Sequence, residues 1–166
     1  MYITYRKPTP ADGQAVHQLI QRCPPLDQNS LYCNLLQCRD FSDTSIIAQT
    51  EDGTIAGFIS GYIPQSRPDT LFIWQVALSN EFRGQGIANT MLTELFSRNA
   101  RLTHMETTIS PSNQPSRRLF TRFFKEHFTS VETKTLFKQG VHFNNDHEDE
   151  VLYLAGPAIR LDQQPA

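Results

Sequence analysis

The stretch FRGQGIANTML, residues 82–92, sets Gly84 and Gly86 one residue apart and runs straight into Ile87, Met91 and Leu92 at helical spacing. Backbone N–H groups in the first turn of a helix have no intrahelical acceptor, and the helix dipole adds about half a positive charge there. Glycine just ahead of such a turn lets a bulky phosphate approach the main chain closely, so the pattern points to a bound anion. The preceding residues, TLFIWQVAL (70–78), are nearly continuous in apolar and β-favouring types, as expected of a central strand buried on both faces.

Several phosphate loops use this physics, and two of them fit badly. A nucleotide-binding P-loop requires G-x-x-x-x-G-K-[ST], and no such Lys follows the glycines. The dinucleotide fingerprint requires Gly where Asn89 stands, and it follows the first strand of a βαβ unit rather than the third strand of an antiparallel meander.

The elements around the turn can be read from period and punctuation. Ile3–Arg6 reads as a strand; Thr9 then offers an N-cap ahead of Pro10, and Val16, Leu19, Ile20 and Cys23 recur at helical spacing before Pro24 and Pro25. Asn29 or Ser30 can cap a second helix carrying Leu31, Leu35, Leu36 and Cys38. SIIAQTE and TIAGFISGYI flank Asp52 and Gly53, a tight-hairpin signal. The glycine turn opens a helix over about 86–99 with Ile87, Met91, Leu92, Leu95 and Phe96 inward. A strand over 105–109 follows, then a helix opened by Pro111, Asn113 and Pro115, and two late strands over 131–137 and 150–155. The order β-α-α-β-β-β-α-β-α-β-β predicts an α+β fold around one mixed, mostly antiparallel sheet.

With 166 residues, 39% hydrophobic and 19% charged, the chain suits one globular domain spanning 1–166. No apolar run reaches the roughly 20 residues of a membrane span, and MYITYRKPTP lacks a secretory apolar stretch, so the expectation is a cytoplasmic protein with no membrane partner. A net charge of −2 without any Lys/Arg run offers no face for nucleic acid. Cys23, Cys33 and Cys38 are odd in number and form no CxxC pair, which predicts buried free thiols and no metal site.

Arg83-Gly84-Gln85-Gly86-Ile87-Ala88 matches [QR]-x-x-G-x-[GA]. In that motif, and in its place in the element order, the chain resembles the GCN5-related N-acetyltransferase (GNAT) superfamily. The resemblance implies acetyl-CoA as donor, its pyrophosphate on this loop, and its pantetheine arm along the strand at Val76, Ala77 and Leu78. It also implies a coenzyme contact at Asn113. Many relatives carry a proton-donating Tyr where Leu119-Phe120 stands here, so Phe120 is expected against the coenzyme and the acid role falls to Tyr32 or water.

The blocks PPLDQNSLYCNLLQC (24–38), GFISGYI (57–63), PDTLFIWQVAL (68–78), ETTISPSN (106–113) and HEDE (147–150) resemble a narrower group, the L-2,4-diaminobutyrate acetyltransferases of ectoine biosynthesis. Transfer to the γ-amine of L-2,4-diaminobutyrate, by an enzyme that is typically a dimer, is what this implies. A substrate with two ammonium groups and one carboxylate needs acids and an anion-binding group. Asp27 lies between the first two helices, on what is the acceptor side in this fold, and could hold one ammonium. Asn29 and Ser30 open helix two, whose N–H groups could receive the carboxylate. Tyr32 could hydrogen-bond an amine, and Trp74 could wall the substrate, although core packing is the default for a mid-strand aromatic. Glu106, in the buried segment METTI, is costly there without a partner and is the candidate general base, with Thr107 beside it. His147 and Glu148 read as solvated loop residues until the resemblance makes them substrate contacts.

Direct attack in a ternary complex suits an open cleft better than a ping-pong route through Cys33 or Cys38. An acetyltransferase for another small diamine or polyamine, and a silent CoA-binding sensor, remain as alternatives.

Overall fold

The computed structural model describes residues 1–159, so the last residues of the expected 1–166 domain lie outside the described part. Seven strands occur: β1 (Ile3–Arg6), β2 (Ile46–Thr50), β3 (Ile55–Tyr62), β4 (Thr70–Leu78), β5 (His104–Ile109), β6 (Val131–Phe137) and β7 (Glu150–Ala155). They form one sheet in the order β1-β2-β3-β4-β5-β7-β6. The helices are α1 (Gly13–Gln21), α2 (Leu31–Asp40), α3 (Ile87–Ser97), α4 (Gln114–His127) and the short α5 (Gln139–His142). The expected element order is observed, with α5 added in a segment that carries no helical period.

The chain divides into two compact units, one of Met1–Tyr62 with Ile73–Asn99, the other of Ile63–Phe72 with residues from 100 onward. In the first unit β1, β2 and β3 pair antiparallel, with Asp52 and Gly53 in the β2–β3 turn, where the Gly53 N–H donates to Thr50 O at 3.0 Å. Val16, Leu19, Ile20 and Cys23 of α1 pack with Cys38 of α2 and with Ile47, Ile55, Phe58 and Ala77 from the strands. Successive strand residues face opposite sides, and α3 packs against β2 and β3 with Met91, Leu92 and Leu95 buried. Helix α2 departs from its sequence reading. Asn34, Gln37 and Cys38 are its buried residues, whereas Leu31 is 40% exposed. The cost of burying Asn34 is offset by His17 Nδ1 of α1 at 2.8 Å from its Oδ1 and by its own donation to Gln37 Oε1 at 3.0 Å.

In the second unit β7 lies between β5 and β6 and pairs antiparallel with both, aligning Glu106 with Leu154 and Leu154 with Glu132. Its buried residues include Phe120, Phe123 and Phe124 of α4, then Phe128, with the Phe120 and Phe124 ring centroids 5.5 Å apart.

Candidate active site

The glycine turn has the geometry an anion cradle needs. Gly84 and Gly86 stand at φ +76° and +77°, left-handed values that side chains rarely adopt. A Cβ built on either would meet nothing within 4 Å, so neither glycine is required by packing. Gly86 is the N-cap of α3 and offers no side chain to its first-turn N–H groups. Arg83, Gly84, Gln85 and Gly86 are exposed, while Ile87 is buried and so offers its backbone alone. The Gln85 side chain donates back to Glu81 O at 3.2 Å, bracing the turn. Open space and paired positive φ suit a ligand that must come close to the backbone.

Strand β4 leads into this turn. It is not buried on both faces as its composition predicts: Trp74 is 40% exposed, with its ring edge-on to Phe41 at 6.2 Å and to Tyr62 at 5.9 Å. An aromatic wall with one open side results, rather than core. Ala77 is buried in the unit's core; the adjacent Val76 and Leu78 are half-buried.

The segment before α2 is tied to β4. Gln75 Nε2 donates to Asp27 O at 2.8 Å, and Asn29 Nδ2 donates to Gln75 Oε1 at 3.3 Å. Ser30 is the cap of α2, accepting from Cys33 N at 3.0 Å, which leaves the Asn29 side chain to hold this loop against the strand. Asp27 is exposed, and Tyr32, on the first turn of α2, is 69% exposed.

In the second unit Glu106 is 3% exposed and accepts a hydrogen bond from Arg67 Nη2. Arg67 comes from the loop between β3 and β4 and was not singled out in the sequence. The pair lies at a cavity of about 300 Å³ whose walls include Lys134, Leu152 and Leu154. Thr107 is also buried, and strand alternation turns it to the opposite face from Glu106, so the two do not share one side of β5.

The polar run after α5 is folded onto the entry of α4. His147 Nδ1 donates to Glu148 O at 2.7 Å, its ring centroid is 4.6 Å from that of Phe143, and its Nε2 is 3.7 Å from Glu150 Oε1. Ser112 Oγ donates to Glu148, and Ser110 Oγ to Glu150 at 3.5 Å. Glu150 joins this cluster without having been singled out by sequence. Asn113 caps α4, accepting from Ser116 N at 3.3 Å. Phe120, expected against the coenzyme, is 2% exposed and packs beside Phe124.

The thiols are poor nucleophiles. Cys23 and Cys38 are buried and Cys33 half-buried, and burial pushes all three up, Cys38 to about 11. At neutral pH they are protonated, and the thiolate that a ping-pong route needs is scarce.

A bare glycine turn that leads from a central strand into a helix is the feature by which such a fold is classed. The chain belongs to the acetyltransferase (GNAT) family, whose model matches residues 13–124. It is 45% identical over 157 residues to the L-2,4-diaminobutyric acid acetyltransferase of Methylotuvimicrobium alcaliphilum, covering 93% of this chain and 91% of that protein. The enzyme of the same name from Vibrio parahaemolyticus is 45% identical over 151 residues, 90% of this chain and 83% of that one. Among solved structures, diaminobutyrate acetyltransferase EctA from Paenibacillus lautus, in complex with its substrate L-2,4-diaminobutyric acid and coenzyme A, superposes with a TM-score of 0.87 at 40% identity, covering 94% of this chain and 95% of that one. No described helix is long and apolar enough to cross a membrane.

Proposed function

We propose that this chain acts as a single N-acetyltransferase domain that moves the acetyl group of acetyl-CoA to the γ-amine of L-2,4-diaminobutyrate, giving N4-acetyl-L-2,4-diaminobutyrate for ectoine biosynthesis in the cytoplasm. The observation that carries the reading is the likeness, over 94% of the chain, to an enzyme solved with both that diamino acid and coenzyme A.

Acetyl-CoA supplies an activated thioester carbonyl. The amides at the head of α3 and the turn at Arg83, Gly84, Gln85, Gly86 and Ala88 hold the diphosphate. A backbone N–H of the Val76-Ala77-Leu78 stretch polarises the carbonyl and stabilises the developing oxyanion. An ammonium with a reference pKa of about 10.4 must lose its proton before it can attack, at a cost of roughly 4–5 kcal/mol at pH 7. Glu106 accepts that proton, directly or through water. Arg67, ion-paired with Glu106, holds the carboxylate in place. Asp27, Asn29, Trp74, His147 and Glu148 are assigned to the substrate, with Asp27 holding the second ammonium so that the γ-nitrogen faces the donor; the substrate contact expected at Thr107 does not fit its place on the face of β5 opposite Glu106. Tyr32 or water reprotonates the departing thiolate, since Phe120 has no proton to give.

The dimer implied by the resemblance belongs to the same proposal; Val131 and Phe137 on β6 and Val141 on α5 are large apolar side chains left exposed. Sedimentation velocity tests it, a monomer at micromolar concentration counting against it. Thiol release from acetyl-CoA across a panel of amines tests the reaction: diaminobutyrate is expected to be the best acceptor, and a preference for spermidine would contradict the assignment.

A further inference from the structure

We propose that Arg67 is a specificity-determining residue of the acceptor site, its guanidinium oriented by Glu106 so that its remaining N–H groups receive the carboxylate of the amino-acid substrate. This rests on the reading that Glu106 faces the acceptor, and deepens it by assigning the anion-binding group.

Glu106 is buried, and a buried carboxylate without a cation is strongly destabilising. Arg67 answers that need and is itself placed by it: one end of the guanidinium is committed to Glu106, and among the described residues Nη1 donates to the neighbouring Ser66 Oγ at 3.3 Å. The Arg67 side chain is 48% exposed. A guanidinium carries five N–H donors in a rigid fork that matches a carboxylate. With one edge anchored, the orientation of the rest is fixed in advance, which reduces the entropy lost when a ligand binds.

The surrounding cavity suits a small zwitterion. Its volume is about 300 Å³, at the lower end of small-molecule pockets. The cross-strand register puts Glu106, Leu154 and Glu132 in one row and Leu152 with Lys134 in the next row of that face. Arg67 and Lys134 thus stand with Glu106 and Glu132 around apolar leucine walls, two charges of each sign. A ligand carrying both a carboxylate and ammonium groups finds partners for each. A polyamine has nothing for Arg67 and would meet Lys134 as a like charge, so the same cavity selects against it.

The test compares L-2,4-diaminobutyrate with 1,3-diaminopropane, the same carbon chain without the carboxylate, each as substrate or as competitive inhibitor of the other, in the full-length enzyme. Arg67→Gln is expected to lower kcat/KM for diaminobutyrate by about 10²-fold, mainly through KM, and to lower that for 1,3-diaminopropane at least tenfold less. Arg67→Lys, which keeps the charge and loses the fork, is expected to fall between and serves if Arg67→Gln fails to fold with Glu106 stranded. Equal losses with both amines, or an unaltered KM for diaminobutyrate, would overturn the assignment while leaving the acetyltransferase reading intact. A wild-type enzyme that ignores diaminobutyrate and acetylates another amine would overturn both.

Discussion

Gly84 and Gly86 adopt nearly the same left-handed conformation, φ +76° and +77°, on either side of Gln85, with open space where each side chain would be. The turn is bare without any packing reason, and a ligand that must come close to the backbone accounts for it. Gly86→Asp forces a side chain into left-handed backbone and sets a negative charge against the diphosphate. The affinity for coenzyme A should fall by about 10²-fold or more, measured by isothermal titration; an unaltered Kd would count against the loop.

Glu106→Gln keeps the shape of the side chain and removes its capacity to accept a proton. Coenzyme binding should be retained while turnover of diaminobutyrate falls by about 10²-fold or more. Unchanged turnover would assign the base elsewhere.

The Cys33→Ala/Cys38→Ala double variant should keep turnover within about threefold of the parent, because burial holds both thiols protonated and direct transfer does not use them. Intact-mass spectrometry after mixing with acetyl-CoA alone should show no acetylated protein. A stable acetyl adduct in the wild type, lost in the variant, would reinstate the ping-pong route.

Asp12 links the chain's first turn to β1. Its carboxylate accepts from Arg6 Nη2 at 2.8 Å and from Thr9 N at 2.7 Å. The Arg6 hydrogen bond, foremost, holds its pKa below the ordinary value against the opposing effect of burial. A carboxyl with a depressed folded-state pKa contributes stability that is fully present above its unfolded value and is lost as pH falls through the folded one. Asp12→Asn should therefore lower stability by about 1–2 kcal/mol at pH 7. That deficit should shrink as the pH drops below the usual carboxylate range, as read from Tm against pH; a deficit independent of pH would contradict the ion-pair account.

Element order was legible in the sequence because hydrophobic period and punctuation change sharply at each boundary, most clearly around Asp52-Gly53 and at the glycine turn. Burial was legible only where local pattern decides it. Leu31, Leu35 and Leu36 gave α2 an apolar stripe, yet Asn34 and Gln37 go inside, because His17 on another helix supplies the partner that makes burial of Asn34 tolerable. Trp74 sits in a strand that reads as core and is left partly open beside Phe41 and Tyr62. Arg67 was hidden for a related reason. Its segment, PQSRPD, is polar with no period, and its importance comes from a carboxylate 39 positions further along. Glu106 could be singled out because its strand reads as buried; Arg67 could not, since its partner is distant in sequence. A buried charge in a sequence announces that a partner exists without saying which residue it is.

The most direct measurement is NMR of the product formed from L-2,4-diaminobutyrate and acetyl-CoA. The account predicts a single acetyl group, on the γ-nitrogen, with the α-ammonium unmodified. Acetylation at the α-nitrogen, or no acetylation of this amino acid while another amine is consumed, would contradict it.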